Sequence, residues 1–142
     1  MSEIRVDLIT EKTADGGVTI KSTGTGDNKP TLLTLQTSEA DIAANDVLGK
    51  IQFQAPDEGT GTDAILVSAA IQARSEGDFA ADANATAIDF MVGASEAAAT
   101  KMTLSSAGVL SIDTISEKTS AAGVTIDGLL IKDSAVGATG TA

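Results

Sequence analysis

Short segments in which every second residue is apolar recur along the chain. Ile51 and Phe53 flank Gln52, for example, and Ile88 and Phe90 flank Asp89. This period of two is typical of β-strands that turn one face to a core and the other to water. The alternating segments lie at residues 4–8, 18–20, 51–53, 88–90, 102–104, 110–112 and 124–126. With other short runs they predict a mostly β protein of about ten short strands.

Clusters of glycine, asparagine, aspartate, serine and proline separate these segments. Glycine supplies positive φ angles, and Asp and Asn form local side-chain turns, so each cluster predicts a connection between strands. The clusters cover residues 15–17, 24–30, 55–63, 75–78 and 105–108. Two stretches, 38–49 and 94–100, have helical features, a possible cap at Ser38 in the first and alanine richness in the second, but neither has an apolar stripe.

One motif occurs twice. ITEKTADGGVTI, residues 9–20, returns as ISEKTSAAGVTI, residues 115–126, with eight of twelve positions identical. Two copies are too few for a solenoid, so we interpret them as one strand-turn-strand module used at both ends of a different central segment. The Glu11-Lys12 and Glu117-Lys118 pairs could form ion pairs between chains. Exposed pairs contribute only about 0–1 kcal/mol, however, so a strand crossing explains the repeat better.

The composition is poor in large apolar side chains. The 42% hydrophobic content includes 24 alanines, which leaves 33 Leu, Ile, Val and Phe residues in 142. A single chain of this kind has little with which to build a core. If three chains wind around one axis, each offering one apolar face, they share a core with three times the supply. The composition therefore indicates either a loosely folded chain or several chains that share a core, and an obligate oligomer of the second kind is stable only when assembled.

The charge excludes several classes of partner. The chain has nine basic and 20 acidic residues, for a net charge of −11, and the Lys and Arg residues form no cluster in the sequence. Nucleic acid and anionic membrane surfaces are both recognised by clustered Lys and Arg, so we expect neither as a partner. No apolar run approaches the ~18 residues of a membrane span, and the polar N-terminus argues against a secretory signal.

The central segment, residues 48–112, resembles a segment of tail fibres and other appendages of tailed bacteriophages. It shows Gly-x-Ile-x-Phe, Ala-x-Ile-x-Ala, Gly-x-Phe, Ala-x-x-Phe, a Thr-to-Leu strand, Ser-x-Gly and Leu-x-Ile in that order. These elements start at Gly49, Ala69, Gly77, Ala87, Thr100, Ser106 and Leu110. The stretch GVTIDGLLIKDS, residues 123–134, is similar to short repeats in virion proteins of marine phages.

The resemblance implies an intertwined homotrimeric β-structure, like a triple β-helix or β-prism, with a structural or adhesive role in the virion. The length fits a trimeric knob, a head fibre or a capsid decoration protein. We expect a module at 1–36, a central β domain at 37–112, a second module at 113–132 and a tail at 133–142. The positions predicted for the shared trimer core are Val18, Ile20, Ile51, Phe53, Ile88, Phe90, Leu110, Ile112, Val124 and Ile126.

Candidate chemistry is sparse. Histidine and cysteine are absent, so catalytic triads and thiolate or imidazole metal sites are excluded. Two loops carry carboxylates that could serve glycoside hydrolysis, and residues 57–63 offer oxygen ligands for Ca²⁺ without the EF-hand spacing. These carboxylates are Asp57, Glu58, Asp63, Glu76, Asp78 and Asp82. The chain has no Tyr or Trp to stack on sugars, so we interpret the loops as solvated turns.

We therefore expect a non-enzymatic virion protein without a cofactor. Its expected partners are further copies of itself, capsid or other virion proteins and, if it is adhesive, host-surface glycans. Two alternatives stay open: a glycan-binding module, and a self-assembling β-rich surface filament in which copies stack head to tail. Phe53, Phe79, Phe90 and Met102 could line a ligand pocket, but such residues on alternating strands more often belong to a core.

Overall fold

A computed structural model describes residue 9, residues 17–126 and residues 129–131. The chain divides into two compact units, Met1–Thr34 and Leu35–Ala142. The predicted strand at 4–8, the Glu11-Lys12 pair and the tail at 133–142 lie outside the described residues. Every strand of the described ranges belongs to the second unit.

The second unit is built on one open antiparallel sheet of five strands in the order β1-β2-β3-β4-β5. A separate two-stranded antiparallel sheet, β6-β7, follows. The strands are β1 Val47–Gln54, β2 Val67–Ser75, β3 Thr86–Val92, β4 Ala99–Leu104, β5 Leu110–Ile112, β6 Val124–Ile126 and β7 Leu129–Ile131. No helix occurs in the ranges that the structure describes. The mostly β prediction is confirmed, as are the strands at 51–53, 88–90, 102–104, 110–112 and 124–126.

The predicted turn clusters at 55–63, 75–78 and 105–108 connect neighbouring strands of the sheet, whereas the cluster at 24–30 lies in the first unit. Between β4 and β5 the amides of Ser105 and Gly108 close the turn, bonding Val109 O and Ser105 O at 3.0 Å each. Gly108 has φ +76°, a conformation that L side chains rarely adopt. Because each strand connects to its neighbour in space, the sheet is a simple meander.

Neither stretch with helical features forms a helix. In the first, residues 38–46 contain bends and turns and β1 begins at Val47. Asn45 has φ +75°, and the Asp46 carboxylate accepts a hydrogen bond from the Ala43 amide at 2.7 Å. Asp and Asn side chains compete with helical hydrogen bonds in this way. In the second, β4 pairing already begins at Ala99.

The predicted strand at 18–20 is wrong for this structure. Val18 and Ile20 lie outside any strand and are 58% and 59% exposed. The identical Val-Thr-Ile sequence at 124–126 forms β6, because residues 129–131 supply a partner strand. Local sequence alone therefore does not make this segment a strand. In the first unit, the Ser22 amide donates a hydrogen bond to Thr31 Oγ1 at 3.0 Å, and this bond links the two sides of the turn at 26–28.

The buried residues of the described ranges are few and small. The buried apolar ones are Ala70 and Ala87, and the buried polar ones are Gln72, Ser75 and Asp89. Large apolar side chains are instead exposed. The described part of a single copy therefore has almost no hydrophobic core, in line with the composition.

Candidate functional site

One face of the five-stranded sheet is apolar from edge to edge. Strand pairing aligns Ile51 with Ile71, Ile71 with Phe90, Phe90 with Met102 and Met102 with Ile112. Parallel rows above and below extend it, and no Asp, Glu, Lys or Arg interrupts it. We call these residues the apolar face: Gly49, Ile51, Phe53, Ala69, Ile71, Ala73, Ile88, Phe90, Val92, Met102, Leu104, Leu110 and Ile112.

The apolar face is open to solvent in the single chain. Nine of its large side chains are between 36% and 54% exposed. They are Ile51, Phe53, Ile71, Ile88, Phe90, Val92, Leu104, Leu110 and Ile112. Contiguous exposed apolar surface of this kind marks an interaction site rather than an ordinary protein surface.

Six of the ten positions predicted for a shared core lie together on this face: Ile51, Phe53, Ile88, Phe90, Leu110 and Ile112. Val18 and Ile20 belong to the other unit, and Val124 and Ile126 to the two-stranded sheet. The sequence analysis missed Ile71, Val92, Met102 and Leu104. Continuing the alternation along each strand would have found the last three, and pairing in the sheet identifies Ile71.

The opposite face carries a buried polar network centred on Asp89. The Asp89 side chain is 1% exposed and accepts from Arg74 Nε at 2.9 Å and from Thr103 Oγ1 at 2.8 Å. Gln72 Nε2 donates to the same carboxylate at 3.1 Å. These donors come from the strands on either side of Asp89, so strand register brings the network together.

The network holds Asp89 ionised. The hydrogen bond from Arg74 lowers the pKa of the carboxyl below its usual value, against the opposing effect of burial, and the bonds from Gln72 and Thr103 add to this. The same contact raises the pKa of Arg74. Among the described residues, no buried side-chain nitrogen or oxygen lacks a hydrogen-bond partner. This face is thus already satisfied within one chain.

Hydrogen bonds from side chains at the end of β2 fix the segment that precedes β1. The Ser75 hydroxyl donates to the Ala43 carbonyl and accepts from the Asp46 amide at 2.9 Å. Asn45 Oδ1 accepts from Arg74 Nη1 at 3.1 Å. This segment therefore connects the end of the sheet to the polar network.

Three of the six carboxylates in the two candidate loops, Glu58, Glu76 and Asp78, accept hydrogen bonds from the chain itself. Glu76 accepts from the Ser106 amide at 3.0 Å, and Asp78 accepts from the Ala44 amide at 3.2 Å. The Thr60 hydroxyl donates to Glu58, which lowers the pKa of that carboxyl. In the part of the chain that the structure describes, no three acidic residues come together as a metal site would require. The turn interpretation accounts for these contacts.

The four residues proposed for a ligand pocket do not converge. Phe90 and Met102 line a shallow depression on the apolar face, together with Val92 and Ile112. Phe53 and Phe79 are not part of it. The depression is open, and its other walls are Lys101, Asp113 and Thr114. It is a shallow surface depression of the apolar face rather than a ligand pocket.

The repeated motif contains a contact that the sequence analysis missed. Glu117 accepts from the amides of Ala121 and Gly123, at 2.8 and 2.6 Å, and these bonds lower its pKa. Ala121 and Gly123 have φ of +63° and +75°, so the glutamate stabilises a left-handed loop just before β6. Charge-assisted bonds to the backbone explain the Glu of the motif without a second chain. An ion pair between chains at Lys118 stays a prediction.

The chain matches no protein-family model, no curated protein and no solved structure. The resemblance to phage fibre segments therefore stays a prediction. Among the residues described, none forms an apolar helix of the length needed to cross a membrane.

Proposed function

We propose that this protein is a non-enzymatic structural component of a bacteriophage virion. It would act as a homotrimeric fibre, knob or capsid decoration protein with an intertwined β-structure, by assembly and surface display. One observation carries the assembly part: the buried apolar residues of the described ranges are two alanines, while a whole sheet face of large apolar side chains is exposed. A chain of this kind gains its core when copies associate.

The virion part of the proposal is supported by the order of motifs in residues 48–112. The strand motifs lie within β1 to β5, and the two turn motifs, which start at Gly77 and Ser106, fall between strands. A net charge of −11 suits a displayed protein, since it favours solubility and mutual repulsion of particles. Three of the loop carboxylates, Glu58, Glu76 and Asp78, are engaged in hydrogen bonds within the chain, which supports a structural role over hydrolysis.

Two measurements test the proposal. Light scattering coupled to size-exclusion chromatography should give a single β-rich species of three times 14.2 kDa. Mass spectrometry and antibody labelling of purified particles of the phage that carries the gene should find the chain in the virion. A folded monomer contradicts the assembly part, and virions without the chain contradict the virion part.

A self-assembling filament is the second candidate, favoured by the open sheet. The outer strands β1 and β5 each have one neighbour in the five-stranded sheet. Such edges can pair with further copies. Electron microscopy of the purified protein separates filaments of indefinite length from discrete trimers.

A further inference from the structure

We infer that the apolar face of the central sheet is the surface on which copies of this chain meet, and that it supplies most of the shared core. This rests on the proposed assembly and goes further by assigning the interface. The sequence analysis distributed the shared core over both terminal modules and the central segment. In the structure, nine of the 19 exposed large apolar residues of the described ranges lie together on one face of β1 to β5.

The size of the apolar face fits an interface between proteins. Nine large apolar side chains, two of them aromatic, are each between 36% and 54% exposed and present a contiguous patch on the order of several hundred Å² per copy. Specific protein interfaces bury about 800 Å² per partner. Face-to-face packing of sheets about 10 Å apart is also an established way to close a β core.

The charge distribution favours a second copy of this chain as the occupant. Each copy carries a net charge of −11, so chains repel one another over most of their surface. None of the thirteen residues of the apolar face is ionisable, and Lys101 and Asp113, which line its depression, are exposed, so copies can meet over most of the face without burying a charge. The ionised pair, Arg74 and Asp89, lies on the opposite face with its hydrogen bonds complete.

Stoichiometry points the same way. Because the described residues bury only two alanines, a folded copy needs a partner that covers its apolar face at all times. Another copy of the same chain is always available at an equal concentration. Large and small residues also lie side by side on the apolar face, as in the row Phe53, Ala69 and Val92 beside the row of Ile51, Ile71 and Phe90. Two such surfaces can interdigitate.

The chain has no cysteine, so single-cysteine variants of the full chain report on one position each. Ile71→Cys probes the middle of the apolar face, where β2 is paired on both sides. Val109→Cys is the matched control, because Val109 is an exposed apolar residue in the turn before β5. Ala73→Cys is a second probe of the face that adds a single sulfur atom. Val18→Cys probes the terminal module.

The readout is the rate of reaction with a sulfonated maleimide, followed by mass spectrometry, on protein whose mass is measured in parallel. We expect an oligomer in which Ile71→Cys and Ala73→Cys react at least tenfold more slowly than Val109→Cys. All variants should react at equal rates in urea. If Ile71→Cys alone fails to fold, Ala73→Cys decides the result.

The outcomes separate this inference from the proposal on which it rests. An oligomer whose face cysteines react as fast as Val109→Cys overturns the inference and leaves the assembly standing. If Val18→Cys alone is slow in that oligomer, the terminal module is the interface instead. A monomer with slow face cysteines shows that the chain covers its own sheet, and a monomer with fast ones shows a free face. Either monomer result overturns both ideas.

Discussion

Asp89 is the residue on which the buried side of the sheet depends. Its carboxylate receives bonds from three side chains on the two neighbouring strands. Removing its charge would leave the Arg74 guanidinium without its ionic partner. Breaking a buried pair in this way destabilises a protein because one charge stays desolvated.

We therefore expect Asp89→Asn to lower the free energy of unfolding by about 2–3 kcal/mol, less than a fully buried pair because Arg74 reaches solvent. Urea unfolding at one fixed protein concentration measures this. The matched control is Asp82→Asn, the same chemical change on an exposed loop, which should stay within about 0.5 kcal/mol of the wild type. Equal losses for the two variants would contradict a structural role for the network.

The same carboxylate makes stability depend on acid. The pKa of Asp89 is lowered in the folded chain, whereas in the unfolded chain it is about 3.9. Its contribution is therefore complete above about pH 4 and is lost as the pH falls through the lower, folded value. Other carboxyls with lowered pKa, such as Glu76 and Glu117, add to the loss. The difference in stability between the wild type and Asp89→Asn, measured at each pH, isolates the contribution of Asp89 to this loss.

We expect the urea midpoint of the wild type to be flat between about pH 5 and 7 and to fall below about pH 4. The difference in urea midpoint between the wild type and Asp89→Asn should become smaller over the same acidic interval. A gap that stays constant down to pH 2 would mean that Asp89 is not held ionised by the fold.

At the scale of elements, the connection between β3 and β4 depends on a close backbone approach. A Cβ on Gly93 would lie 2.3 Å from the Glu96 carbonyl oxygen. The Gly93 amide also donates to the Ser68 carbonyl at 2.9 Å, which ties the connection to β2. The connection therefore has no room for a side chain at this position.

We expect Gly93→Ala to lower stability by about 1–3 kcal/mol, since the backbone must shift to accept the methyl group. Gly77→Ala is the matched control, because a Cβ there meets nothing within 4 Å. The control should change stability by no more than about 1 kcal/mol and can raise it by restricting the unfolded chain. Thermal unfolding of both variants at equal concentration provides the comparison.

The two copies of the repeated motif show what an element needs besides its own sequence. Val-Thr-Ile of the motif forms β6 at residues 124–126, beside β7, and lies outside any strand at residues 18–20. The preceding glycines, Gly17 and Gly123, nevertheless share a positive φ, of +63° and +75°. The conformation of this glycine is thus common to both copies, whereas the strand requires a partner.

At the scale of the whole molecule, the exposed apolar face predicts that folding and association are one process. Tm should then rise with protein concentration, because dilution favours the unfolded chains over the assembly. We expect a drop of several degrees on hundredfold dilution, measured by circular dichroism. A Tm that is independent of concentration would indicate a chain that is stable alone.

The sequence by itself determined most strands of the central sheet, the turns between them and the low content of large apolar residues, but not the outcome at 18–20. Alternation at 51–53, 88–90 and 110–112 is a local property, and so is the turn at Gly108, so both can be read without knowing the fold. The same alternation placed six of the predicted core positions on one face.

Only the tertiary structure decided which face is open and which is closed. Alternation in the sequence defines two faces for each strand but does not show which face is covered within the chain. Pairing of β2, β3 and β4 brings Arg74, Gln72 and Thr103 to Asp89. The polar side chains thereby satisfy one another within the chain, while Ile71 and Phe90 are left exposed. Hydrogen-bond geometry depends on register between distant segments, and a sequence pattern does not contain that register.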